Sequence, residues 1–97
     1  MVEIKIYVVT TENPDKTKLD SVKVQLCGAF GGLTVINNCE GLWLDNGKLY
    51  ADNVQIWLIE SSTVVSPEQI MKYGEDLKAI CKQKSQMISI NGHPYFV

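Results

Sequence analysis

The sequence predicts an α+β fold with the element order β-α-β-β-α-β. Three observations carry this reading. Asn46-Gly47 stands between two strand-like runs, and this dipeptide accepts the positive φ of a two-residue type I′ hairpin. Val2 to Thr10 alternates, with Ile4, Ile6 and Val8 on one face. Ser66-Pro67-Glu68-Gln69 is a helix start: a capping serine, proline at the first helical position, glutamate at the positive end of the dipole, and glutamine to complete a capping box.

In chain order, Val2 to Thr10 is the first strand. Thr11 to Asp15 is a loop, because the residue before Pro14 disfavours helix. Lys16 to Phe30 is a helix whose stripe is Leu19, Val22, Leu26 and Phe30, and Gly31-Gly32 ends it in a left-handed cap. Leu33 to Asn37 begins the second strand, Asn38 to Gly41 interrupts it as a bulge or kink, and Leu42 to Asp45 resumes it. Lys48 to Tyr50 returns from the turn. Ala51 to Asn53 is a second irregular point before the strand Val54 to Glu60, and Ser61 to Val65 is a connection. The second helix carries Ile70, Tyr73, Leu77, Ile80 and Cys81 inward and reaches about Lys84, with Lys78, Lys82 and Lys84 at the negative end of its dipole. Met87 to Asn91 is the last main strand, and His93 to Val97 is a short extra strand or C-terminal extension.

Two crossover units sharing a central hairpin make the ferredoxin-like plan over residues 1–97 as one domain. Right-handed crossovers put both helices on one face of a four-stranded antiparallel sheet and leave the other face open. The expected core is Ile4, Ile6, Val8, Leu19, Val22, Leu26, Phe30, Val35, Val54, Ile56, Leu58, Ile70, Leu77, Ile80, Ile88 and Ile90.

The composition is that of an ordinary globular chain: 97 residues, 45% hydrophobic, 21% charged, net charge −2. The balance is slightly acidic and every one of the nine basic residues is lysine. That excludes the basic footprint of a nucleic-acid binder and the bidentate guanidinium forks that grip phosphate. No apolar run is long enough for a membrane span, and the charged, alternating N-terminus is unlike a leader peptide, so a cytoplasmic setting is expected. The three cysteines, Cys27, Cys39 and Cys81, are odd in number and widely spaced, which fits reduced thiols and no intrachain disulfide.

Phe30-Gly31-Gly32-Leu33-Thr34-Val35, Glu40-Gly41-Leu42-Trp43 and the apolar strand ending Ile59-Glu60 form a pattern across most of the chain. It resembles that of a group of small bacterial and bacteriophage proteins of unknown function with a ferredoxin-like fold. The resemblance implies the fold and a phage connection. It also implies a role such as sequestering a nucleotide signal, and it carries over no catalytic residue.

Convergent chemistry is sparse. His93 is the sole histidine and precedes Pro94 in a terminal segment, where a turn or surface role outweighs a catalytic one. With no Cys-x-x-Cys spacing and no second histidine, neither a metal nor another cofactor is expected. Cys27 and Cys81 lie along helical stripes and are expected to be buried and inert. Cys39 is the more exposed thiol, but neighbouring Glu40 opposes its ionisation. Glu12 with Asp15, and Asp45 with Asp52, could pair for acid–base work, although turn chemistry explains them first. Gly31-Gly32 follows a helix and so cannot cradle phosphate at a helix start.

Strand alternation from the expected core sends Tyr7, Val9, Ile36, Trp57, Ile59 and Met87 to the open face as a ligand-binding or interface patch. A patch of that size is rarely left bare, so a homodimer through the open face is expected, with a small-molecule ligand and no nucleic acid or membrane as partner. The favoured reading is a non-catalytic, oligomeric binding module that takes a small nucleotide-like ligand or a host partner. The alternative is a small cofactor-independent enzyme with its site in the cleft at the open sheet face.

Overall fold

The computed structural model describes residues 1–62 and 65–97. The elements are β1 (Val2–Val9), α1 (Lys16–Phe30), β2 (Thr34–Asp45), β3 (Lys48–Ser61), α2 (Pro67–Ile80), β4 (Met87–Ile90) and β5 (His93–Phe96). They form a ferredoxin-like α+β fold with an antiparallel sheet ordered β2-β3-β1-β4-β5. The sheet has five strands where four were expected, because the C-terminal extension pairs with β4 from Met87↔Phe96 to Ile90↔His93. Part of the expected Ser61–Val65 connection lies outside the described residues; Ser61 itself closes β3.

Local sequence explains the ends of the elements. Asp15 caps α1: its Oδ1 accepts the backbone N–H groups of Thr17 and Lys18 at 2.8 and 3.3 Å. Gly31 closes the helix at φ 90° with its N–H donating to the Cys27 carbonyl. Asn46 and Gly47 hold φ of 51° and 75°, as a type I′ hairpin requires. At α2, Pro67 occupies the first turn and the Ser66 N–H donates to Gln69 Oε1 at 3.0 Å. The helix stops at Ile80, short of Lys84, where Lys82 turns to φ 55°.

The core lies between one sheet face and both helices. Val2, Ile4, Ile6, Val8, Trp57, Ile59 and Ile88 come from the sheet, Leu19, Val22 and Leu26 from α1, and Ile70 and Leu77 from α2, with Cys81 just beyond its end. Phe30, Val35, Ile80 and Ile90, expected in the core, are half-buried and pack at its margin.

The orientation of β3 corrects the reading from alternation. Ile4 pairs with Ile59 and Ile6 with Trp57, so these four side chains share the helix-covered face. Trp57 and Ile59 are 0% exposed, whereas Val54, Ile56 and Leu58 take the opposite face and are half-buried. The cause is phase. Val54 to Ile59 is apolar at nearly every position, so period-2 alternation has two solutions, and pairing with β1 selects between them. A further correction concerns continuity: β3 runs unbroken through Ala51–Asn53, and the irregularity is confined to β2, where the register shifts between Ile36 and Cys39 and Asn38 adopts φ 59°. Cys27, expected buried, is exposed, because α1 turns it away from the Leu19–Val22–Leu26 stripe.

Candidate functional site

The long β2–β3 hairpin extends past the helices as an arm. Its Leu42, Leu44 and Leu49 are exposed, Leu44 to 70%. On its other face Trp43 stacks on Tyr50, ring centroids 4.5 Å apart, and Lys48 lies 5.2 Å from the Tyr50 ring centre. The arm is tied to the body at its root by Asp52. Its Oδ2 accepts the Trp43 indole N–H at 3.1 Å and its Oδ1 accepts the Thr11 hydroxyl at 2.9 Å. Thr11 Oγ1 in turn accepts the Asn53 N–H at 2.9 Å, and Thr10 N–H donates to the Asn53 carbonyl at 2.8 Å.

The open sheet face is continuous with the Trp43–Tyr50 side of the arm. Of the expected patch, Tyr7, Val9 and Met87 lie here half-buried and Ile36 lies here exposed. Trp57 and Ile59 do not; Ile56 and Leu58, opposite Tyr7 and Lys5, take their places. Glu3 and Lys5 form an ion pair of 3.5 Å on this face. A half-exposed pair of this kind contributes about 0–1 kcal/mol.

A concave surface lies elsewhere. A cleft of about 910 Å³ lies between the β1–α1 loop, the N-terminal half of α1 and the bulge of β2. This is the size of a small-molecule site. Thr10, Asn13, Pro14, Lys16, Leu19, Lys23, Asn37, Asn38, Cys39, Glu40, Asn53, Val54 and Gln55 line it. Five of these thirteen are carboxamides, each offering a donor and an acceptor in one plane. Leu19 and Pro14 supply apolar contact. The bulge makes the far wall: the extra residue in β2 bends the strand and presents Asn37, Asn38, Cys39 and Glu40 to the cleft together.

Two of the wall groups are anchored to the core. Gln55 Oε1 accepts the Trp57 indole N–H at 3.0 Å, which holds the amide in place. The Lys23 ammonium lies 5.4 Å from the centre of the Trp57 ring. Lys16 and Lys23 both reach Asp20, at 3.0 and 3.5 Å. The hydrogen bond from Lys16 holds the Asp20 carboxyl below its ordinary value of 3.8. Glu40 makes no ion pair among the described residues.

The other sequence candidates fall into structural roles. His93 is exposed on the edge strand and tilts against Tyr95, ring centroids 4.8 Å apart. Asp15 is a helix cap and Asp52 the arm joint. Cys39 is half-buried with Sγ 3.8 Å from the Asn37 carbonyl, and burial pushes the Cys81 thiol up to about 11. Among the described residues, no group of three or more metal-ligating side chains comes together, and no helix is long and apolar enough to cross a membrane. The cleft is what reading the sequence missed. Its one linear signal was Asn37-Asn38 at one irregular point with Asn53 and Gln55 at the next, and only the Glu40↔Asn53 pairing brings the two together.

Neither a family model nor a curated protein matches the sequence. Solved structures match the fold. A phage SAM lyase in complex with S-methyl-5′-thioadenosine is 19% identical over 99% of this chain and 88% of its own, with a TM-score of 0.69. CutA1 from Oryza sativa is 12% identical over 97% and 78%, with a TM-score of 0.61. The divalent cation tolerance protein CutA1 from Thermus thermophilus is 15% identical over 100% and 81%, with a TM-score of 0.54. At these identities the likeness is one of fold.

Proposed function

We propose that this chain is a non-catalytic, oligomeric binding module of phage type, which sequesters a small nucleotide-like ligand in the carboxamide-lined cleft. The observation that carries the reading is the convergence of Asn13, Asn37, Asn38, Asn53 and Gln55 on one concave surface over apolar Leu19. A carboxamide matches the adjacent donor and acceptor on the edge of adenine, and apolar contact covers its faces. Likeness in fold to a phage lyase bound to a thioadenosine supports a nucleoside as the first class to test.

The oligomer in this reading is a homodimer through the open sheet face, centred on Tyr7, Val9, Ile36, Ile56, Leu58 and Met87. Both sheet edges are blunted against edge-to-edge pairing, β2 by its bulge and β5 by Pro94 and its four-residue length. Face-to-face packing of two sheets about 10 Å apart is the geometry that remains. The arm needs such support, since an isolated two-stranded hairpin is marginal in water.

The test is a thermal-shift panel of adenosine, S-methyl-5′-thioadenosine, nucleotides and common metabolites. Saturable stabilisation by an adenine nucleoside, weakened in Asn53→Ala, is the expected result; a flat panel contradicts the reading. A second reading, a small cofactor-independent lyase, is favoured by the fold of the phage SAM lyase alone. Conversion of S-adenosylmethionine to S-methyl-5′-thioadenosine, followed by chromatography, decides for it.

A further inference from the structure

The cleft holds two lysines, yet both are turned onto one carboxylate. Lys16 and Lys23 sit four residues before and three residues after Asp20, positions that share a helix face. Asp20 does not itself line the cleft. It offsets the charge of both lysines, while Lys23 also lies 5.4 Å from the centre of the Trp57 ring. Across the cleft, Glu40 has no cationic partner among the described residues and adds a bare negative charge to the opposite wall. A phosphate entering this space meets compensated cations on one side and a free carboxylate on the other. No arginine exists in the chain to grip it.

We propose that Asp20 is a specificity-determining residue that tunes the cleft to nucleosides without a phosphate. It acts as a positioning residue, through Lys16 and Lys23, and the inference rests on the nucleoside reading of the cleft. Replacing its carboxylate by an amide of the same shape leaves α1 intact, since Asp20 lies one turn past the Asp15 cap and takes no part in it. The change releases two ammonium groups toward the ligand. For a dianionic phosphate about 7 Å from the lost charge in a water-like medium, Coulomb's law gives roughly a five- to tenfold gain in affinity.

The experiment is calorimetric titration of adenosine and AMP, at low salt, into the unaltered protein, Asp20→Asn, Asp20→Glu and the double variant Asp20→Asn/Lys16→Met. In the unaltered protein, adenosine is expected to bind at least fivefold more tightly than AMP. Asp20→Asn should raise AMP affinity roughly five- to tenfold and leave adenosine within about twofold. Asp20→Glu should restore the original ratio, and the double variant should lose part of the gain. A merely structural role would move both ligands together. Equal shifts for the two ligands, or AMP binding the unaltered protein as tightly as adenosine, overturn the inference and leave the nucleoside reading standing. No binding of adenosine to any variant overturns both.

Discussion

Ile6 and Trp57 face each other across β1 and β3, both fully buried beneath the helices. This pairing fixes which half of the apolar run Val54–Ile59 enters the core. It also anchors the cleft, because the same indole donates to Gln55 and lies beside Lys23. Trp57→Ala should therefore destabilise the fold by about 3–5 kcal/mol in urea denaturation. Trp57→Glu should abolish folding outright, since it buries an unpaired charge. A folded, monomeric Trp57→Glu protein would place the indole at an interface and contradict the assigned face.

Much of the fold was legible because local and global preferences agree. Ile4, Ile6 and Val8 alternate cleanly with Glu3, Lys5 and Tyr7, so β1 admits one phase. Asn46-Gly47 and Pro67 act through their own backbone geometry and need no distant partner. β3 was not legible in phase, because Ile56, Trp57, Leu58 and Ile59 satisfy either face and only the register with β1 decides. The cleft left only the faint trace of Asn37-Asn38 and Asn53 with Gln55. Its residues come from the β1–α1 loop, α1, the β2 bulge and β3, and a carboxamide such as Asn53 has no periodic signature. Cys27 shows a third limit: the α1 stripe is narrow, and a residue one position past Leu26 leaves the core.

The corrected open face can be tested at its centre. Ile56 lies opposite Tyr7 and next to Leu58 and Ile36 on the uncovered side. Ile56→Glu should convert a dimer at tens of micromolar into a folded monomer, read by light scattering with circular dichroism. An unaltered protein that is monomeric at that concentration contradicts the dimer.

Gly74 is the tight contact of α2. A Cβ there would lie 2.6 Å from Ile88 Cδ1 and 3.0 Å from Val97 Cγ2. In an open helix, Gly→Ala gains about 0.5–1 kcal/mol. Here overpacking outweighs that gain, and Gly74→Ala should lose about 1–2 kcal/mol net. Thermal unfolding should fall by roughly 5–15 °C. A rise in Tm would show that Ile88 and Val97 yield freely.

The thiols should separate by reactivity and by pH. Cys27 is exposed and Cys39 half-buried, so both should react with a thiol reagent in the native state, whereas Cys81 should react only on unfolding. The Cys81 thiol sits at about 11 against an ordinary 9.0. The unfolded chain therefore releases this proton first, and stability should fall as pH rises from about 9 toward 11. Cys81→Ala should flatten that part of the stability–pH curve; an unchanged slope contradicts the buried thiol as its cause.

The most direct measurement of the central claim is a titration of isotopically labelled protein with adenosine, followed by amide and carboxamide NMR shifts. Saturable shifts confined to the cleft are expected, in Asn37, Asn38, Asn53, Gln55 and the Lys16–Lys23 turn of α1, together with the Trp57 indole that reports on Gln55. No shifts at saturating adenosine, or shifts centred on Ile56, Leu58 and Met87 of the open face, would contradict a nucleoside site in the cleft.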